Sequence, residues 1–68
     1  MTDQLRLLRL PQVMDRVGLR RSRLYAKVAA GEFPPPIRIS ANAVGWLESE
    51  ITGWIEQRIA ESRAGSSR

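Results

Sequence analysis

Residues 11–31, PQVMDRVGLRRSRLYAKVAAG, decide the fold, because they hold two short helical patterns separated by a break of three residues. Pro11 suits the first turn of a helix, where its missing N–H is not needed and its fixed φ is already helical. Val13, Met14 and Val17 fall on one stripe, and Gly18 follows where a helix commonly ends. A second pattern covers residues 21–30, with Leu24 and Val28 four apart, Tyr25 beside them and Gly31 as its stop. The connection Gly18-Leu19-Arg20 has the length of a helix-turn-helix, with Leu19 pointing inward to hold the two helices at their angle. Periodicity alone does not separate this arrangement from an ordinary αα-hairpin.

Upstream, Arg6-Leu7-Leu8-Arg9-Leu10 is short, apolar-rich and stopped by proline, which predicts a brief strand or extended lead-in. Downstream, Glu32-Phe33-Pro34-Pro35-Pro36 cannot continue a helix and predicts a stiff surface crossing, with Phe33 folded back on the core. Ile37-Arg38-Ile39 and Val44-Gly45-Trp46 alternate around turn-forming residues, so a small hairpin is expected, packed on the helices through Ile37, Ile39, Val44 and Trp46. Leu47, Ile51, Trp54, Ile55 and Ile59 recur at helical spacing and predict an apolar face on a last helix over residues 48–63. Trp46 and Trp54 read as core on these positions. The expected fold is mainly α with a small β-hairpin: a winged helix-turn-helix over residues 1–63 and a flexible tail at 64–68.

A chain of 68 residues is one module, burying only about 60% of its unfolded surface. The absence of cysteine and histidine from the sequence excludes disulfides, zinc ribbons and thiol chemistry, and removes the commonest general base. Glu48, Glu50, Glu56 and Glu61 have no histidine or aspartate to converge with and read as a solvated face. Lys27 is the only lysine, so no serine has an obvious base, and no Gly-rich phosphate loop is present. No enzymatic role, cofactor or metal is expected. No apolar run approaches the roughly 18 residues of a membrane span, and no signal-peptide pattern precedes the domain, so a cytoplasmic protein without a membrane partner is expected.

The net charge of +4, with a pI of about 11.1, directs attention to a polyanion. Its distribution is uneven. Residues 1–40 carry eight basic against three acidic side chains, whereas residues 41–68 carry three against four. Arg20, Arg21, Ser22, Arg23 and Lys27 open the second helix on the face opposite Leu24 and Val28. A helix fits the major groove, where arginine can bond guanine O6 and N7, so Arg21 and Arg23 are candidate base readers. Arg20 and Lys27 are candidate phosphate clamps; Ser22 suits a base or a phosphate; the Tyr25 ring can cover the core while its hydroxyl reaches a phosphate. On the hairpin, Arg38, Ser40 and Asn42 are placed for the DNA backbone or minor groove. The bland alternative is that these arginines merely solvate a helix; the lack of any acid between Arg16 and Glu32 weighs against it. Double-stranded DNA is the expected partner. A protein-interaction module using the last helix is the alternative from a different class.

The blocks Leu8-Arg9-Leu10-Pro11-Gln12-Val13, Gly18-Leu19-Arg20-Arg21-Ser22-Arg23-Leu24-Tyr25, Gly31-Glu32-Phe33-Pro34 and Ala43-Val44-Gly45-Trp46-Leu47-Glu48-Ser49-Glu50-Ile51, with Trp54-Ile55, resemble the AlpA family of prophage regulators. The resemblance implies a winged helix-turn-helix related to MerR-like and excisionase-like domains. It further implies DNA binding near phage or mobile-element genes, with transcriptional regulation or DNA bending beside an integrase. A single chain this small covers few base pairs, so self-association as tandem or paired binding on DNA is a further expectation. Two departures from the family pattern stand out. Arg20 replaces the usual serine N-cap, a loss of about 0.5–2 kcal/mol unless Ser22 caps a later start. Arg23 stands where a small residue such as threonine is common, so base preference is expected to differ from that of relatives.

Overall fold

A computed structural model describes residues 5–65. The element order is β1 (Leu7–Leu8), α1 (Leu10–Val17), α2 (Arg21–Ala29), β2 (Ile37–Ser40), β3 (Ala43–Leu47) and α3 (Glu48–Gly65). The fold is mainly α with a small antiparallel sheet, in the manner of a winged helix.

Each helix boundary has a local cause. Pro11 lies in the first turn of α1, and the Gln12 side chain accepts a hydrogen bond from the Arg9 backbone N–H at 2.9 Å. Gly18, at φ +73°, ends α1 while its N–H donates to the Met14 carbonyl. Helix α2 ends in a Schellman turn: Gly31, at φ +77°, donates to Val28, and Glu32 donates to Lys27 at 2.8 Å. The last helix starts directly off β3, its first N–H donating to the Arg6 carbonyl at 2.7 Å and its first turn carrying Glu48 and Glu50.

Leu8, Val13, Leu24, Phe33, Trp46 and Ile51 form the buried core, with Leu19 and Tyr25 packed against it. Two indoles tie down the proline-rich crossing. Trp46 Nε1 donates to the Pro34 carbonyl and Trp54 Nε1 to the Glu32 carbonyl, each at 2.8 Å, while Phe33 meets Trp54 edge-on at 4.9 Å. Across the protein, Arg16 donates to Thr52 at 3.2 Å and joins α1 to α3.

The sheet has strand order β1-β3-β2, antiparallel throughout, so the lead-in segment adds a third strand to the expected hairpin. Leu8 opposite Trp46 defines the inner face. Ile37 pairs with Gly45 and therefore points outward, and an extra residue between Arg38 and Ser40 leaves Ile39 lying over Gly45. The expected packing of Ile37 and Ile39 against the helices is thus corrected: they are 37% and 43% exposed on the outer face. Val44 and Trp46 do face the helices.

The apolar face expected through Ile59 is also shorter than its pattern. Ile51 is buried and Trp54 and Ile55 are half-buried, but Ile59 is 44% exposed and α3 runs beyond the body from residue 56. The helix continues through Ala64 to Gly65, past the expected boundary at 63. Of the expected tail, residues 66–68 lie outside the described residues. No helix among the described residues is long and apolar enough to cross a membrane.

Two glycine substitutions have opposite expected signs. A Cβ at Gly45 would stand 2.9 Å from the Leu8 carbonyl oxygen, a backbone atom of the paired strand, so Gly45→Ala is expected to destabilise by about 1–3 kcal/mol. A Cβ at Gly53 meets nothing within 4 Å, so Gly53→Ala in α3 is expected to stabilise by about 0.5–1 kcal/mol. Urea melts of the two variants beside wild type read both.

Candidate nucleic-acid interface

Helix α2 has one buried side, formed by Leu24 with Val28 and Tyr25 half-buried beside it, and one open side. Arg20, Arg21, Ser22 and Arg23 are all exposed at its N-terminal end. Arg20 occupies the N-cap position with extended backbone and no side-chain cap bond, so Ser22 does not cap a later start. No acidic residue lies in the first turn. The positive end of the helix dipole thus coincides with three guanidinium groups. Two shallow open clefts flank the spot, one lined by Met14, Arg20, Arg21, Ser22 and Tyr25, the other by Gly18, Leu19, Arg20, Ser22 and Arg23.

The ion pairs lie elsewhere. Among the described residues they join Arg6 to Glu48, Lys27 to Glu32 and Arg58 to Glu61, and none involves Arg20, Arg21, Arg23 or Arg38. Lys27 is set apart from the other candidates, half-buried with its Nζ 3.7 Å from Glu32. The Schellman turn brings that carboxylate back beside α2, a return invisible in a linear count of charges.

Arg38, Ser40 and Asn42 are exposed on β2 and its turn. Arg38 pairs with Val44 and so lies on the inner side of the sheet, the side that carries the helices. Ser40 pairs with Ala43, leaving Asn42 at the tip of a two-residue turn. Tyr25 is half-buried, its ring tilted against Trp46 at 6.2 Å and beneath the Arg21 guanidinium at 5.9 Å. Ala26 and Ala29 share the open side with Ser22, which makes that side of α2 smooth enough for close approach to a groove. They carry no charge, and only their spacing, four and seven residues after Ser22, signals their place.

Comparison with known proteins adds the family. The profile described as "Prophage CP4-57 regulatory protein (AlpA)" matches residues 6–59, from the strand before α1 into α3. The chain belongs to the AlpA family. It is 45% identical over 62 residues to "Uncharacterized protein ORF88" of Enterobacteria phage P4, covering 91% of this chain and 70% of that protein. It is 34% identical over 59 residues to "DNA-binding transcriptional activator AlpA" of Escherichia coli (strain K12), covering 78% of this chain and 84% of that protein. No solved structure is a significant match.

Arg20 is a place where this AlpA-family chain trades stability for charge. A serine there would accept N–H bonds from the first turn of α2, which the guanidinium cannot do. Arg20→Ser is expected to raise stability by about 0.5–2 kcal/mol, read as a higher melting temperature. The same substitution removes an unpaired cation, so any polyanion bound at this end should bind more weakly.

Proposed function

We propose that the chain is a sequence-specific double-stranded DNA-binding protein that regulates transcription of prophage or mobile-element genes, acting in the cytoplasm. The observation that carries the reading is the N-terminal end of α2, where exposed and unpaired Arg20, Arg21 and Arg23 surround an uncapped helix start. In this reading α2 faces the major groove through Ser22, Ala26 and Ala29, with Arg21 and Arg23 on either flank of that side. Arg20 contacts phosphate, and Lys27 lies at the margin of the contact. Arg38, Ser40 and Asn42 of the wing follow the neighbouring backbone.

The description of the Escherichia coli relative as a DNA-binding transcriptional activator supports this reading. The interaction-module alternative loses ground on α3: beyond the packed Ile51–Ile55 segment, its large exposed hydrophobic residue is Ile59 alone among the described residues. One isoleucine does not make a pairing face. The test is selection of bound sequences from a random duplex pool. An enriched motif is the expected result; binding to every duplex alike would remove the sequence-specific part of the proposal, and binding to none would remove all of it.

A further inference from the structure

We infer that Tyr25 is a positioning residue whose ring, not its hydroxyl, aims the Arg21 guanidinium, making Arg21 the base-reading arginine of α2 and leaving Arg20 and Arg23 to phosphate. The inference rests on the DNA-binding reading and deepens it.

The three arginines look alike in sequence but are held differently. Arg21 stands one helical turn before Tyr25, with its guanidinium carbon 5.9 Å from the ring centroid, within cation–π range. Arg58 over Trp54, far along α3, is the other such contact among the described residues, so Arg20 and Arg23 have no comparable support. The platform itself is fixed. Tyr25 leans on Trp46 with ring centroids 6.2 Å apart, and Trp46 is fully buried and anchored to the Pro34 carbonyl at 2.8 Å. A sequence of supports therefore runs from the proline-rich crossing through the wing strand to one guanidinium on α2.

That difference matters because the two kinds of DNA contact have different geometric demands. Guanine O6 and N7 accept a planar fork, and a fork already oriented loses less freedom on binding. A phosphate accepts charge from a wide range of directions, which suits side chains that swivel. The cleft lined by Met14, Arg20, Arg21, Ser22 and Tyr25 leaves the supported guanidinium open to a partner.

The experiment is duplex selection and equilibrium binding for wild type, Arg21→Lys, Arg23→Ala, Tyr25→Phe and Tyr25→Leu. Arg21→Lys keeps the charge but loses the fork and is expected to flatten base preference at one position, with affinity for the selected site falling roughly ten- to hundredfold. Arg23→Ala is expected to weaken all duplexes alike and lower the salt slope by about one. Tyr25→Leu is expected to flatten the same position as Arg21→Lys with a loss of about two- to fivefold, an effect absent when Arg21 is already lysine. Tyr25→Phe should match wild type throughout. A circular-dichroism melt establishes whether Tyr25→Leu is folded; if it is not, Arg21→Lys and Tyr25→Phe still decide. Unchanged base preference in Arg21→Lys, or loss of affinity in Tyr25→Phe, overturns the inference while leaving DNA binding standing. A wild-type chain that enriches no duplex overturns both.

Discussion

Trp46→Ala is expected to leave a chain without a cooperative melting transition at room temperature. Trp46 is the largest of the fully buried side chains and sits on the inner face of the central strand, opposite Leu8 and against Tyr25. Removing a buried tryptophan side chain typically costs about 3–5 kcal/mol, through lost burial and the cavity left behind. A domain of this length has a total stability of only about 3–10 kcal/mol. The substitution also removes the N–H that the Pro34 carbonyl accepts, releasing the crossing between α2 and the wing. Trp54→Ala is the matched comparison. Trp54 makes an equivalent bond to Glu32 and an edge contact with Phe33, but it is only half-buried, so its loss should lower the melting temperature and keep the transition cooperative. A Trp46→Ala variant that melts within a few degrees of wild type would show that the core lies elsewhere.

The contrast between the two indoles also marks how far the sequence could be read. Local punctuation was legible: Pro11, Gly18 and Gly31 bound α1 and α2 as their residue types demand, and the three-residue connection joins two packed helices. Both tryptophans were legible as scaffold from their places, Trp46 beside Leu47 and Trp54 on the stripe of Ile51 and Ile55. Sheet faces were not legible at Ile37 and Ile39, because alternation says which residues share a face but not which face is inward. One extra residue in β2 then breaks the alternation itself. Helical periodicity likewise shows that Ile59 lies in line with Ile51 and Ile55, but it carries no information about how long the surface beneath them is. Among the candidate site residues, the exposure of Ser22 followed from its position opposite Leu24. Arg20 and Arg21, four and three residues before Leu24, share its side and are exposed because they lie at the open first turn of α2, a correction to the expected opposite face. The pairing of Lys27 with Glu32 depended on a backbone reversal five residues long, which charge counting along the chain does not see.

Reversing the charge of Arg20, Arg21 and Arg23 together to glutamate is expected to abolish DNA binding, by at least about a thousandfold, while leaving the fold as stable as before. The two halves of that expectation come from the same observation. These side chains are exposed and take part in no ion pair, and the one fold contact that uses their charge, Arg21 over the Tyr25 ring at 5.9 Å, is worth only about 0.5–1 kcal/mol at an exposed site. Carboxylates in the first turn of α2 would favour the helix dipole, and the melting temperature should hold or rise slightly. For wild type, the three phosphate-neutralising arginines Arg20, Arg23 and Arg38 give a salt slope of about −2.7, so affinity should fall about fortyfold between 50 and 200 mM salt. Arg58→Glu supplies the control that separates a local site from net charge. Arg58 lies on α3, already paired with Glu61 at 2.7 Å, and its reversal changes the total charge without touching α2. At physiological ionic strength charges separated by more than about 8 Å are largely screened, so this variant should bind DNA within a few-fold of wild type. Losses per reversed charge that are equal on α3 and on α2 would mean that the duplex responds to the whole molecule's field, and α2 would lose its special place.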